Sequence, residues 1–410
     1  MKNFKLSIIA GLAFSLSACS TVSDWFADEE ELEIRRLTPI AEQFKPIKVW
    51  DIDIGHGVEN YYSRLRPAVA YDKVYVASRQ GDVLALDQET GKPTWQRNFA
   101  IFPEQGFFDG LTSLWSSGVS AKISGGLTVV FDTVFFGTED GYVYALDAQT
   151  GETKWQTDVR GEVLAAPAVE SGIVVINTGA GALVGLNSTD GSEMWRGDSE
   201  VPPLSLRGLS SPVAASGGVI FGTPTGKLQV NIIQSGMLAW EQVISAPSGA
   251  TELERIVDVD AKPIILGGTV YTISYGGTLA AVELRSGRIV WKREYAAYQS
   301  LALNGNTLYV VDNNSHMYAI DRRNGVELWS QGRLKGRELS APTTMGDYVV
   351  AGDKYGYLHW FNQSDGQLVA RFELGADDED ESIFVAPVVA GNTLFATTRD
   401  GVVAALQVSQ

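Results

Sequence analysis

The chain has one cysteine, Cys19, and three histidines, His56, His316 and His359, among 410 residues. A lone thiol closes no intrachain disulfide, and no two of the histidines stand at the spacing of a metal-ligand pair. Basic residues are also short, since 32 Lys and Arg face 49 Asp and Glu and leave a net charge of −17. A surface so acidic repels nucleic acid and anionic lipid, which argues against either as the main partner. No apolar run is long enough for a membrane-spanning helix, because the run inside "MKNFKLSIIAGLAFSLSACS" is too short. No nucleophile, base and orienting acid stand out as a set. The acidic stretch "DDEDE" at 377–381 contains no glycine to turn the chain around a cation, and it reads as a solvated loop. Neither a metal nor a cofactor is expected.

What is present is a repeat. "ALDQETGKPTW" (85–95) returns as "ALDAQTGETKW" (145–155), "GLNSTDGSEMW" (185–195), "VNIIQSGMLAW" (230–240), "AVELRSGRIVW" (281–291), "AIDRRNGVELW" (319–329) and "WFNQSDGQLVA" (360–370). The seventh residue is always glycine, four before the Trp or, in the last copy, before Ala370. A second glycine precedes the same position by fourteen residues in six copies, with Ser315 in the remaining one. Stretches such as "GYVYALD" alternate as half-buried strands do, and the glycine suits a tight hairpin turn. Four short strands per repeat of this length describe a propeller blade. The Trp residues read as flat anchors between neighbouring blades.

Counting blades requires both ends of the chain. Gly401 opens an eighth frame that stops at Gln410, before a Trp position is reached, while "KVWDIDI" carries Trp50 with no hairpin ahead of it. The expected fold is therefore all-β, an eight-bladed propeller of four-stranded antiparallel blades over residues 46–410. The N-terminal strand around Trp50 completes the last blade and closes the ring.

Residues 1–18 read as a secretory signal, with Lys2 and Lys5 before an apolar run that ends in small residues. "LSAC" (16–19) has the form of a bacterial lipobox, which makes Cys19 the lipidated N-terminus of the mature chain. Ser20 at the next position favours the periplasmic face of the outer membrane. Residues 19–45 are polar and acidic, with "DEEELE" at 28–33, and are expected to form a tether.

The Trp-containing frame resembles the quinoprotein dehydrogenase family over the whole ring, so a periplasmic pyrroloquinoline-quinone oxidoreductase is the alternative reading. Those enzymes carry an adjacent cysteine pair, which this chain lacks. Together the lipobox, the acidic segment and the eight repeats resemble the BamB family, lipoproteins of the machinery that inserts β-barrel proteins into the outer membrane. This resemblance runs the full length. It implies a non-catalytic scaffold, a lipid anchor, and a partner in the periplasmic domains of the barrel insertase BamA. It places the docking residues in "LSLRG" and "DVD", at Leu204, Leu206, Arg207, Asp258 and Asp260.

Read from residues alone, alternation points Leu204 and Leu206 one way and Arg207 the other. Arg207 is suited to an interface hot spot, and equally to an internal ion pair with Asp258 or Asp260. Two spacings exceed the usual 24 to 31 residues from one Trp to the next glycine, namely 46 after Trp95 and 37 after Trp240. The first insert carries Phe102, Phe107, Phe108 and Trp115, which either pack over the ring or offer a groove to unfolded outer-membrane clients. In the second, Thr251 and Glu254 have capping-box spacing and predict a short helix.

Overall fold

Each repeat folds into its own antiparallel sheet, and the computed structural model, which describes residues 29–101, 118–377 and 379–408, contains eight four-stranded sheets. Blade 1 shows the plan, running outwards through Ala68–Ala70, Lys73–Ala77, Asp82–Asp87 and Pro93–Asn98. The two middle strands are buried almost throughout, as in Ile173–Asn177 of blade 3, while the outer strand Pro93–Asn98 is exposed except at Trp95. Hydrophobic clusters form between neighbouring sheets, for example Phe135 and Val143 of blade 2 with Val174 and Val184 of blade 3. The fold is thus held sheet against sheet around the ring.

Ring closure occurs as the two chain ends predict. Pro46–Asp53 pairs antiparallel with Val402–Val408, setting Trp50 opposite Ala405, and becomes the outer strand of blade 8. The inner strand Val388–Ala390 then lies beside Ala68–Ala70 of blade 1.

The seam between blades explains the repeated glycine. Trp155 of blade 2 reaches across to blade 3, where its indole N–H donates to the Ser188 carbonyl at 3.0 Å. Its ring lies flat on Gly191, whose φ is +73° and whose missing Cβ would stand 2.6 Å from the ring carbons. The same pairing joins Trp50 to Gly91 across the closing seam, and Trp329 to Gly366. Each such glycine meets two demands, a left-handed turn and a ring in van der Waals contact. Gly191→Ala is therefore expected to destabilise by on the order of 3 kcal/mol, from overpacking added to strain. Gly305→Ala, at φ +55° with open space around it, should cost only about 1 kcal/mol. Paired urea titrations check this, and equal losses would remove the seam from the explanation.

From Glu29 onwards, the segment expected to be a tether lies against the ring. A seven-residue helix, Glu29–Arg35, sits beside blade 7, and the chain then follows that blade's outer edge to Pro46.

Candidate functional site

Antiparallel order sorts the connections onto two faces. Turns between first and second, and between third and fourth, strands share one face; second-to-third turns and the links between blades share the other. "LSLRG" and "DVD" both lie in inter-blade links, after blades 3 and 4, and so open on the same face.

The structure joins the two stretches directly. Asp258 Oδ1 accepts the Leu206 backbone N–H at 3.0 Å, and Ser210 Oγ donates to the Ala261 carbonyl at 3.0 Å. Gly208 permits the close approach, because a Cβ there would fall 2.4 Å from Asp260 Oδ2. On its far side, Asp260 offers its carbonyl to Arg64 Nη1 at 2.8 Å. The segment around Arg207 bends instead of running as a strand, so the period-two expectation for its side chains fails. Leu204 is exposed, whereas Leu206 and Arg207 line the same cavity of about 250 Å³, with Phe221 and Leu164 in its wall.

The internal ion pair between Arg207 and Asp258 or Asp260 does not form. Arg207 Nη2 instead reaches Glu139 Oε2 at 2.8 Å, with Glu162 at 3.6 Å. Glu139 is itself gripped by Arg79 through two hydrogen bonds of 2.9 and 3.0 Å, and the Tyr61 ring covers that guanidinium at 3.6 Å. Burial alone would raise the Glu139 pKa, but Arg79 and Arg207 together hold it below the ordinary carboxylate range. Half of the Arg207 side chain stays open to solvent. The result is a braced cation beside an exposed leucine.

Repeat alignment supplies the signal for these missed partners. Arg79 and Glu139 both stand two residues before the first glycine of their frames, in adjacent blades, so opposite charges at one frame position meet across a seam.

Asp258 is fully buried, its Oδ2 has no hydrogen-bond partner, and burial, aided by Asp260, pushes its pKa up to about 7. Burial raises Asp260 as well, against the pull of Arg64. Because the folded value for Asp258 exceeds the ordinary 3.8, its stabilising contribution is full below that pH and is lost as pH rises towards 7. Asp258→Asn keeps the oxygen that accepts from Leu206. The variant should match wild type at pH 4 and gain over it by up to about 1.4 kcal/mol per unit above that, levelling off past pH 7. A constant difference across denaturation curves from pH 4 to 8 would refute the assignment.

Other expectations fare differently. Thr251 and Glu254 do exchange capping-box hydrogen bonds, Glu254 Oε2 accepting from Thr251 N–H at 3.1 Å and Thr251 Oγ from Glu254 N–H at 3.3 Å. Only a turn follows, not the expected helix. Among the described residues no group of His, Cys, Asp and Glu is arranged to hold a metal. Asp377 of the acidic loop pairs with Arg35 at 3.0 Å. Cys19, Phe102, Phe107, Phe108 and Trp115 lie outside the described residues; the flanking Ile101 and Val119 bond to each other at 2.9 and 2.8 Å and are both exposed.

Comparison with known proteins decides the family. A family model described as outer membrane protein assembly factor BamB matches residues 109–331. A BamB of Alteromonas naphthalenivorans is 57% identical over 98% of this chain and 96% of its own length. This chain belongs to the BamB family. The BamB of Yersinia pestis is 40% identical over 95% of each chain. The crystal structure of BamB from Moraxella catarrhalis superimposes with a TM-score of 0.76 at 25% identity, over 88% of this chain and 99% of that one. A second model, the β-propeller domain of glucose, ethanol and alcohol dehydrogenases, matches residues 47–163. The quinohemoprotein alcohol dehydrogenase of Comamonas testosteroni shares the fold with a TM-score of 0.66 at 13% identity, covering 92% of this chain and 79% of that enzyme. The BamB ring and the dehydrogenase ring are thus one architecture, with the BamB likeness extending over nearly the whole chain.

Proposed function

We propose that this protein is a non-catalytic scaffold for the assembly of outer-membrane proteins. Lipidated at Cys19, it is held at the periplasmic face of the outer membrane and docks the periplasmic domains of BamA through Leu204, Leu206 and Arg207, on loops that the buried Asp258 and Asp260 hold in place. The observation that carries the reading is the joining of the two loops, in which Asp258 holds the Leu206 backbone and Glu139 braces Arg207 beside exposed Leu204. Arginine is among the residue types enriched at interface hot spots, Leu204 adds apolar contact area beside it, and the pre-oriented guanidinium has little side-chain entropy left to lose on binding. Membership of the BamB family supports the assembly role. The quinoprotein reading rests on the shared ring.

A photo-crosslinking residue at Leu204 tests the proposal. Arg285, in the turn between the third and fourth strands of blade 5, is exposed on the opposite face and serves as control. Capture of BamA from Leu204 and not from Arg285 is expected; equal capture, or none from Leu204, would overturn the site. Unfolded barrel clients are assigned to the insert bearing Phe102, Phe107, Phe108 and Trp115. Removal of residues 102–115 should then diminish client crosslinking, and unchanged crosslinking would withdraw that role.

A further inference from the structure

The inner strands of the eight blades line a central channel, and the chain enters each from the face that carries Arg207. Two residues before every inner strand stands one frame position at the channel mouth. In six blades it is small: Gly126, Ala166, Ser211, Ser300, Ala341 and Ala386. In the other two it is Arg66, of blade 1, and Lys262, of blade 5. Blades 1 and 5 are four steps apart in a ring of eight, so the two cations approach the axis from opposite sides.

Arg66 lines a cavity of about 320 Å³ whose other walls come from blades 5 to 8, including Ile264, Ser300, Thr343 and Ala386. Both residues keep exposed surface at the mouth although protein walls surround them on most sides. Neither has a carboxylate partner among the described residues, although the neighbouring Arg64 is engaged by the Tyr62 hydroxyl and the Asp260 carbonyl. In a chain of net charge −17, two cations without a carboxylate partner on opposite sides of one channel mouth suit an anion between them.

We propose that the channel mouth binds a small multivalent oxyanion, a phosphate or polycarboxylate, gripped between Arg66 and Lys262. The ring of small residues leaves room for it, and the opposed cations supply two points of attachment, Arg66 being capable of bidentate contact. The electrostatics of the mouth agree. The surrounding protein and Arg66 push Lys262 down to about 8, and burial together with Arg64 lowers Arg66. An anion between them would relieve both.

The test is a calorimetric titration of the mature chain in mild detergent with pyrophosphate and, separately, with citrate, at ionic strength held constant by NaCl. Wild type should bind one of them saturably, one anion per chain, and unfold at a higher temperature when loaded. Binding of pyrophosphate alone would assign the phosphate class, and binding of citrate alone the polycarboxylates. Arg66→Ser and Lys262→Ser install a residue the frame already uses in blades 4 and 6. Each should weaken binding about tenfold or more. The double variant should not bind, yet should unfold no earlier than wild type in anion-free buffer. Wild-type affinity in the double variant, or no saturable binding of either anion by wild type, would overturn the proposal.

Discussion

A chain that begins at Pro46 should unfold at markedly lower urea than one that begins at Glu29, with a loss of roughly 4–6 kcal/mol. Seven seams of the ring carry the Trp-on-glycine contact, and the seam from blade 7 to blade 8 has Ala370 at the Trp position. Phe44 fills that gap, and the rest of residues 29–45 lies along blade 7 towards blade 6. Phe44 packs on Tyr348 at 4.7 Å and meets Trp360 edge-on at 6.4 Å, Gln43 N–H donates to the Val369 carbonyl at 2.9 Å, and Arg371 donates to the Thr38 carbonyl at 2.7 Å. Above them the helix caps a buried charge. Arg337, 2% exposed, pairs with Asp353 at 2.5 Å and donates through Nη1 to the carbonyls of Ile34 and Arg35 at 2.9 and 3.0 Å. Stripping the helix away leaves those donors unmatched, and stripping Phe44 away opens an apolar seam. Against a total stability of about 5–15 kcal/mol the loss is severe. Unchanged urea midpoints would show that the segment merely rests on the ring. This docked helix and the Arg207 loops share one face of the ring.

Glu139→Ala should be nearly as damaging, by about 3–5 kcal/mol, although it removes only one methylene and a carboxylate. The Glu139 side chain is 6% exposed and sits between two guanidiniums. Arg79, at 11% exposure under the Tyr61 ring, would be left as a buried and uncompensated cation. Glu139→Gln keeps two hydrogen-bond positions without the charge and should lose less. Equal losses in the two variants, measured by urea denaturation at neutral pH, would mean that packing rather than charge holds the cluster. Arg207→Ala should be milder, because that side chain is half solvated and Arg79 alone still satisfies Glu139.

The ring was legible in the sequence because its determinants are local and periodic. The glycine before each Trp is a turn residue at a constant offset, and the unmatched ends at Trp50 and Gly401 complete each other. What the periodicity does not disclose is the partner of each Trp, which rests on the glycine of the following blade, a contact across the seam. The docked segment escaped for a related reason. Residues 29–45 have no strand alternation and are held by single residues, Ile34, Ile40 and Phe44, whose pockets exist only after blades 6 and 7 have formed. At the candidate site, the adjacency of loops from successive repeats pointed Arg207 towards Asp258 and Asp260. Its partner Glu139 lies 68 residues upstream, on blade 2, and Asp258 is occupied by a backbone amide.

The most direct test of the central claim is a binding titration of the chain from residue 20 onwards with the periplasmic domains of BamA, comparing wild type with Arg207→Glu after confirming that both fold. The expected result is saturable binding by wild type, weakened about thirtyfold or more by the charge reversal. Equal affinity in the two proteins, or no binding by wild type, would contradict the assignment of this face as the docking site.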